Sequence, residues 1–302
     1  MNKPRWKVWL QAARLRTLPL ACAAVLLGSG LAADAGRFRS SVFVLCLLTA
    51  IGLQILSNLA NDYGDAVSGA DNEERVGPQR TVVSGLITKE QMQRAMLLVA
   101  GITIVCGLSL LWTAFSGDWL AILTFVGFGA LSLIAAVTYT VGSRPYGYRG
   151  LGDLSVFLFF GLLGVMGTYY LFTHQLDLML ILPAAGCGFL ATAVLNINNI
   201  RDMDTDIATG KRTFAARIGR KRARLYHWVL VLGGGLMALL FIGLRAKTAG
   251  PWLCYPAWGP LISAAWVVET SQDPVLLDKQ LKRTATSSLL FNLLLAIGFA
   301  LD

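Results

Sequence analysis

Nine stretches of the sequence are apolar enough and long enough to cross a lipid bilayer as helices. A membrane-spanning helix needs about 20 mostly apolar residues, with about 17 as the lower limit. Hydrophobic residues make up 55% of the 302 positions and charged residues only 14%, which is more apolar than a soluble domain of this length requires. The sequence therefore predicts an all-α integral membrane protein with nine transmembrane helices, at approximately 17–33, 41–60, 95–115, 119–140, 151–173, 178–200, 226–244, 252–269 and 285–301.

The distribution of Lys and Arg predicts how these spans are oriented. Positive charge in short loops is retained on the cytoplasmic side of the membrane. With the N-terminus inside, 22 of the 26 Lys and Arg residues fall in cytoplasmic segments, and Arg37, Arg39, Arg245 and Lys247 fall outside. We therefore predict a cytoplasmic N-terminus and an external C-terminus. This asymmetry and anionic lipid headgroups account for most of the net charge of +9, so no nucleic-acid partner is indicated.

Polar residues concentrate where the second span ends, in the string NLANDYGDAVSGAD. Ionisable side chains at membrane depth are costly and indicate a functional site. If this segment is helical, Asn58, Asp62 and Asp65 lie at positions i, i+4 and i+7, and Asn61 lies four residues before Asp65, so these side chains share one face. Carboxylate and amide oxygens suit Mg²⁺, which prefers one or two carboxylates together with substrate phosphates.

The sixth span ends in a second polar cluster, VLNINNIRDMDTDIATGKRT. Its residues Asn198, Asp202 and Asp206 stand at i, i+4 and i+8, with Asn199 and Asp204 between them. A calcium-binding EF-hand loop is excluded, because Ile207 and Thr213 occupy the positions that require Gly and Glu. The second cluster therefore belongs with the first as a candidate metal site.

The two clusters suggest an internal repeat. Asn61xxxAsp65 and Asn198xxxAsp202 have the same spacing, and both follow even-numbered spans, so both face the cytoplasm. We predict one domain, 1–302, with pseudo-repeated halves at about 17–140 and 151–269 and a ninth helix at 285–301. The two acidic helix ends would then meet at a pseudo-symmetric centre.

Basic residues follow both acidic clusters. Arg75 and Arg80 follow the first cluster, and Lys211 and Arg212 follow the second. The loop between the fourth and fifth spans, YTVGSRPYGYRGLGD, contains Tyr139, Arg144, Arg149 and Asp153. Guanidinium and ammonium groups beside metal-holding carboxylates form a site for a polyphosphate.

These motifs resemble those of the UbiA superfamily of intramembrane aromatic prenyltransferases. The strings NLANDYGD, GPQRTVVSGLI, YTVGSRPYGYRGLGD and NNIRDMDTDIATGKRTFAARIG are most similar to its 1,4-dihydroxy-2-naphthoate branch, of bacterial menaquinone synthesis, and the resemblance covers essentially the whole chain. Ser143 stands where hydroxybenzoate members have Lys before Arg144, which favours the naphthoate branch. Gly69 stands where many members have a third Asp, and the nearest acid is Asp71.

The resemblance implies a UbiA-type bundle around a central cavity, in the bacterial inner membrane, with the site facing the cytoplasm. It implies Mg²⁺-dependent transfer of a polyprenyl group from polyprenyl diphosphate to 1,4-dihydroxy-2-naphthoate, giving demethylmenaquinone with loss of CO₂ and diphosphate. The implied metal ligands are Asn61, Asp62, Asp65, Asn198, Asp202 and Asp206. The implied diphosphate-binding residues are Arg80, Lys211 and Arg144, and Tyr139 would shield or orient the allylic cation. Membrane lipid surrounds the chain, and no protein partner is indicated.

Two other functions remain open at this stage. Internal repeats with acids near helix ends also occur in secondary transporters, although their sites lie near the membrane midplane and these acids lie at helix ends. The same fold with 4-hydroxybenzoate or haem as acceptor is the other alternative. Metal-dependent turnover of a prenyl diphosphate would separate an enzyme from a transporter.

Overall fold

The computed structural model describes residues 4–69 and 80–302, and every regular element within them is a helix. Short 3₁₀ turns at Leu15–Thr17, Tyr146–Arg149 and Leu178–Leu180 and a longer 3₁₀ stretch at Gly250–Ala257 connect the helices. The α-helices are α1 Arg5–Ala13, α2 Leu18–Asp34, α3 Ser40–Ser68, α4 Lys89–Phe115, α5 Trp119–Thr138, α6 Gly152–Val156, α7 Gly167–Thr173, α8 Ile181–Arg201, α9 Met203–Ala208, α10 Phe214–Ile218, α11 Arg220–Arg245, α12 Trp258–Thr270 and α13 Pro274–Ala300. A π-helical stretch, Phe157–Met166, joins α6 to α7.

Eight helical segments of the described chain are long and apolar enough to cross a membrane. They match eight of the nine predicted stretches, and the chain is a multi-pass membrane protein. The segments are Arg5–Asp34, Ser40–Ser68, Lys89–Phe115, Trp119–Thr138, Gly152–Thr173, Leu178–Arg201, Arg220–Arg245 and Pro274–Ala300.

The remaining predicted span, 252–269, is helical but divided. Its first part belongs to the 3₁₀ stretch, which contains Pro251 and Pro256, and its second part is the 13-residue α12. Proline has no backbone N–H to donate, so it interrupts an α-helical hydrogen-bond ladder. This segment is therefore not among the eight, and the nine-span count and the orientation of the termini remain predictions.

Both acidic clusters lie on helix ends, as the spacing predicts. Helix α3 has 29 residues and continues past the predicted end at 60, so Asn61 and Asp65 lie within it. It stops at Gly69, whose φ of +67° is the left-handed conformation that ends helices and that glycine adopts without strain. Asp202 sits between α8 and α9, and the Asp206 N–H donates to its carbonyl at 2.8 Å, so the helical spacing continues through the second cluster.

The bundle is densely packed on one side and open on the other. Helices α2, α8, α11 and α13 contribute most of the buried residues, and small residues bring them close: a Cβ on Gly30 of α2 would lie 2.6 Å from Ala296 of α13. In contrast, Ile122 is the only buried residue among the 20 of α5. The loosely packed α4 and α5 therefore form one wall of the space beside α3.

Candidate active site

An elongated cavity of about 630 Å³ runs through the bundle beside α3. Its lining on α3 extends from Cys46 to Asp65, which is about 28 Å of helix at 1.5 Å per residue. The end near Asp65 is polar and charged. The other end is apolar, with Leu111, Phe125 and Leu171 among its lining residues.

The apolar part of the cavity reaches the outer surface of the bundle. Ile104 and Leu108 of α4 and Val126 and Phe128 of α5 line the cavity and are also exposed. The cavity therefore opens sideways between α4 and α5, on the face that is apolar and suited to lipid.

Eight of the predicted site residues line the polar end of this cavity, so the two clusters share one cavity wall. The eight are Asn61, Asp65, Arg80, Tyr139, Asn198, Asp202, Asp206 and Lys211. Lys211 connects the clusters directly, because its Nζ lies 3.0 Å from Asp65 Oδ1 and 3.8 Å from Asp206 Oδ1.

Asp65 is the most heavily bonded acid of the site. It is 1% exposed and accepts hydrogen bonds from Lys211 at 3.0 Å, from the Tyr148 hydroxyl at 2.5 Å and from the Arg80 guanidinium. The Lys211 ammonium also lies over the Tyr148 ring, 4.7 Å from its centroid. A buried carboxylate is tolerated only when opposite charges and hydrogen bonds compensate for its lost hydration, and both are present here.

Asp62 points to the segment that follows Arg80, and its side chain does not line the cavity. One of its carboxylate oxygens accepts the Thr81 N–H at 3.0 Å and the Thr81 hydroxyl at 2.7 Å. The other accepts the Val82 N–H at 3.3 Å. Asp62 therefore anchors the backbone beside Arg80, and its role as a metal ligand remains a prediction.

The amide Asn61 is held at the cavity wall by a neighbouring loop. The Thr140 hydroxyl donates to its Oδ1 at 3.0 Å and also lies 3.0 Å from the Ala60 carbonyl oxygen. One turn earlier on α3, Asn58 donates to Thr17 and to the Ala13 carbonyl. Asn58 therefore ties α3 to the start of α2, while Asn61 faces the polar end.

A buried arginine organises the second cluster. Arg201 donates to both carboxylate oxygens of Asp202, at 2.7 and 2.6 Å, and to the Asn198 carbonyl oxygen at 2.8 Å. It also donates to Asp278 of α13 at 2.5 Å, and Arg16 donates to the same carboxylate at 2.9 Å. This network fixes two predicted metal ligands and connects them to the last helix.

The donor set at the polar end fits a divalent cation that arrives with a phosphate ligand. Asp65 and Asp206 both face the Lys211 ammonium, so one cationic group already lies between carboxylates of the two clusters. Within the described residues, no group of three or more His, Cys, Asp or Glu is placed to hold a metal ion. Mg²⁺ requires only one or two carboxylates when substrate phosphates complete its shell.

Tyr139 stands at the end of α5, on the wall of the polar end. Its ring lies between two glycines: a Cβ on Gly147 would lie 2.8 Å from the ring, and a Cβ on Gly152 would lie 2.7 Å from the hydroxyl. Burial raises the pKa of the Tyr139 phenol, and Asp153 is the largest of the charges that raise it further.

Arg144, which the resemblance implies for diphosphate binding, is not brought to the cavity. Arg144 is exposed in the loop before Tyr146 and is absent from the cavity lining. Arg75, together with Asp71, lies outside the described residues. The role of Arg144 in binding diphosphate therefore remains a prediction without a contact to support it.

Sequence reasoning missed three residues that hold the site together. Tyr148 bonds to Asp65, Thr81 bonds to Asp62, and Arg201 bonds to Asp202. All three lie inside the strings that carry the family resemblance, but no spacing rule connects position 148 to position 65 or position 81 to position 62. The position of Arg201 next to Asp202 was the one available signal.

Comparison with known proteins identifies relatives of the whole chain. Residues 21–296 match the UbiA prenyltransferase family. The chain is 47% identical to the 1,4-dihydroxy-2-naphthoate octaprenyltransferase of Escherichia coli, over 99% of this chain and 96% of that protein. It is 44% identical to the protein of the same name from Haemophilus influenzae, over 99% of this chain and 97% of that protein.

Solved structures share the fold at much lower sequence identity. The apo structure of a UbiA homolog from Aeropyrum pernix has a TM-score of 0.68 at 15% identity, covering 94% of this chain and 97% of that one. A UbiA homolog from Archaeoglobus fulgidus bound to DMAPP and Mg²⁺ has a TM-score of 0.59 at 14% identity, covering 96% and 99%. These similarities establish the helical architecture.

Proposed function

The chain belongs to the UbiA prenyltransferase family, and on that premise we propose that it prenylates 1,4-dihydroxy-2-naphthoate in menaquinone biosynthesis. The donor is a polyprenyl diphosphate, and the products are the quinol (dihydroxy) form of demethylmenaquinone, diphosphate and CO₂. The acceptor is assigned from the near-full-length sequence identity of 47% and 44% to two naphthoate octaprenyltransferases. The cavity supports the donor class, because it joins a charged end to a long apolar end.

The diphosphate would bind at the polar end, where Arg80 and Lys211 lie. In the structure both cations are engaged with Asp65, so their charge is held at the cavity until an anionic ligand arrives. Guanidinium and ammonium groups bind phosphate oxygens strongly when they are shielded from water. Tyr148 keeps Lys211 in place from the other side, through its ring and its bond to Asp65.

A divalent metal fits this proposal, and we assign Mg²⁺ to it. The side chains that would hold it are those on the cavity wall: Asn61, Asp65, Asn198, Asp202 and Asp206. Asp62 stays in the predicted set and would have to release the Thr81 backbone to join them. Bound there, Mg²⁺ supplies Lewis-acid stabilisation of the diphosphate oxygens as they take up charge.

The rest of the cavity would protect the reactive intermediate. The bond between the allylic carbon and the diphosphate oxygen breaks, and diphosphate leaves with the electron pair. The allylic cation must be kept from water, and the apolar lining between α3, α4 and α5 excludes it. The aromatic face of Tyr139 stabilises positive charge nearby, and the long tail would leave through the opening between α4 and α5.

The naphthoate ring would complete the reaction in two bond changes. The ring carbon that bears the carboxylate forms the new carbon–carbon bond with the allylic carbon. The bond to the carboxylate carbon then breaks, CO₂ leaves, and the electron pair of that bond restores the aromatic ring. Diphosphate and CO₂ are both released, so the reaction is effectively irreversible.

Topology and organisation belong to the same proposal. We assign nine spans, with Gly250–Ala257 and α12 together crossing the membrane, a cytoplasmic N-terminus and an external C-terminus. The membrane would be the bacterial inner membrane, with the polar end of the cavity on its cytoplasmic side. The chain would be one domain with two pseudo-repeated halves. The distribution of Lys and Arg supports this orientation.

An acceptor panel tests the function. Membranes containing the protein receive a labelled polyprenyl diphosphate with and without Mg²⁺, and are offered dihydroxynaphthoate, 4-hydroxybenzoate or haem. We expect a Mg²⁺-dependent prenylated product with dihydroxynaphthoate. Product with only one of the other two acceptors would reject the proposed acceptor and keep the enzyme class. Absence of product with all three, together with uptake of label, would favour a transporter.

A further inference from the structure

Asp153 is a buried carboxylate that the proposed function does not use. It is 7% exposed and lies in the first turn of α6. Neither of its carboxylate oxygens has a hydrogen-bond partner among the described residues. A buried acid with so little compensation for its lost hydration is costly to stability, so a functional role is the better explanation for it.

The environment of Asp153 contains phenols and, within the described chain, no ion-pair partner. The Tyr226 hydroxyl on α11 lies close enough to interact with the carboxylate, although it does not meet hydrogen-bond geometry. Among the charged groups that raise the pKa of Tyr139, Asp153 has the largest effect. A Cβ on Gly152, the preceding residue, would lie 2.7 Å from the Tyr139 hydroxyl, so this hydroxyl lies close to the chain that carries Asp153. Asp153 therefore stands behind a tyrosine that forms part of the cavity wall.

We propose that Asp153 and Tyr139 form a proton-transfer pair for a ring hydroxyl of the aromatic acceptor. Tyr139 touches the acceptor from the cavity wall. Asp153 acts through Tyr139, so it is a positioning residue that also takes up a proton. This inference rests on the proposed function, because it assigns a role within the same reaction.

The proton leaves the acceptor hydroxyl and returns to it within one turnover. The acceptor hydroxyl gives its proton to the Tyr139 oxygen while the Tyr139 proton moves to Asp153, directly or through one water. The electron pair left on the acceptor oxygen raises the electron density of the ring that attacks the allylic carbon. After CO₂ leaves, the ring oxygen takes the proton back by the reverse path. Asp153 thus ends the turnover in the protonation state in which it began.

Tyr139 is not within hydrogen-bond distance of Asp153 in the structure, but catalytic hydrogen bonds are often long before substrate binds and shorten in the complex. The titratable groups that face the pair are Tyr226 beside Asp153, and Tyr146, Asp65 and Asp206 beside Tyr139.

Three variants test the pair, and each preserves shape. Asp153→Asn removes the proton acceptor, Tyr139→Phe removes only a hydroxyl, and Tyr170→Phe is the matched control, since Tyr170 is a phenol of α7 that does not line the cavity. We expect Asp153→Asn and Tyr139→Phe each to lower kcat about 10- to 100-fold at neutral pH, within the range of general acid–base catalysis. The KM for polyprenyl diphosphate should not change, and Tyr170→Phe should behave as wild type.

The pH profile separates proton transfer from a structural role. As the pH rises toward the ionisation of the acceptor's own hydroxyl, near pH 10 for an ordinary phenol, the two variants should recover toward wild type. The double variant should be no slower than the slower single variant, because both act on one step. A loss of equal size at every pH, a wild-type kcat in Tyr139→Phe, or a pH-dependent loss in Tyr170→Phe would each overturn the pair.

The same measurements keep this inference separate from the proposed function. Wild-type protein is assayed in every preparation, so a failure to prenylate dihydroxynaphthoate rejects the proposed function by itself. The variants are then compared on whichever hydroxyl-bearing acceptor the wild type accepts. If Asp153→Asn does not fold, Tyr139→Phe alone decides the outcome, because removing one oxygen at a cavity wall leaves the packing of the ring unchanged.

Discussion

The Lys211 ammonium lies 3.0 Å from Asp65 Oδ1, although 146 residues separate the two positions. Asp65 ends the second span and Lys211 follows the sixth, so this contact joins the two acidic clusters at one point. Because Arg80 bonds to the same carboxylate, two cations and one acid form a compact charged group before any ligand is bound. The following predictions test what that group does.

The acids of both clusters should be essential for turnover. Asp65→Asn and Asp202→Asn each remove a metal-binding charge and keep the side-chain shape, and we expect each to retain less than about a tenth of wild-type activity. Asp204→Asn is the control, because Asp204 is 87% exposed and pairs with Arg220. Activity is divided by the amount of folded protein, which is measured by size-exclusion chromatography. Near-normal turnover in either cluster variant would remove that acid from the metal site.

The basic residues at Asp65 should act on the donor. Arg80→Ala and Lys211→Ala each remove a charged hydrogen bond to diphosphate, which is worth roughly 1.5–3 kcal/mol. We therefore expect the donor KM to rise about ten- to a hundredfold at saturating Mg²⁺, while the acceptor KM changes little. Lys282→Ala, on an exposed position of α13, should leave both unchanged. A larger effect on the acceptor than on the donor would assign these residues to the naphthoate carboxylate.

Metal and diphosphate should stabilise the protein together more than either does alone. Asp65 is already bonded to two cations, so Mg²⁺ alone should bind it weakly. Diphosphate would instead draw Arg80 and Lys211 to its own oxygens and leave Asp65 available to the metal. A ligand that binds only the folded state raises the melting temperature by mass action. We expect a clear shift with Mg²⁺ and diphosphate combined and a small one with Mg²⁺ alone. Equal shifts would contradict this coupling.

The far end of the cavity should control chain length. Gly107 of α4 lines the cavity, and a Cβ there would meet only Thr49, at 3.7 Å. Gly107→Phe should therefore fold and shorten the apolar space, so that long polyprenyl donors lose more activity than short ones. The matched control is Gly101→Phe, on the same helix and outside the cavity, where a Cβ meets nothing. The comparison is the ratio of kcat/KM for long and short donors, and an unchanged ratio would place the tail elsewhere.

The orientation of the chain can be measured directly. In a background without the native cysteines, a membrane-impermeant thiol reagent should label Ala208→Cys only from the cytoplasm. It should label Ala35→Cys only from outside, and both positions are exposed. The physical reason is the retention of positively charged loops on the inner side. The reverse pattern of labelling would invert the proposed topology.

Most of the helices could be predicted because their signals are local. A long apolar stretch must bury its backbone polar groups in its own hydrogen bonds inside a membrane, so hydropathy alone locates such helices. Their ends were less predictable. Helix α3 runs to Ser68 because its polar residues continue the helix until Gly69, and the predicted span at 252–269 is divided by a proline-containing 3₁₀ stretch.

The sequence by itself determined the membrane class, the position of both acidic clusters at helix ends and the family resemblance, because these depend on hydropathy, on helical spacing and on short strings. Only the tertiary structure decided which of those residues meet. Asp65 faces Lys211, Asp62 turns to Thr81, and Arg144 stays outside the cavity. Such contacts depend on how loops fold back over helix ends, and distant segments can be brought together only by the packing of the whole bundle.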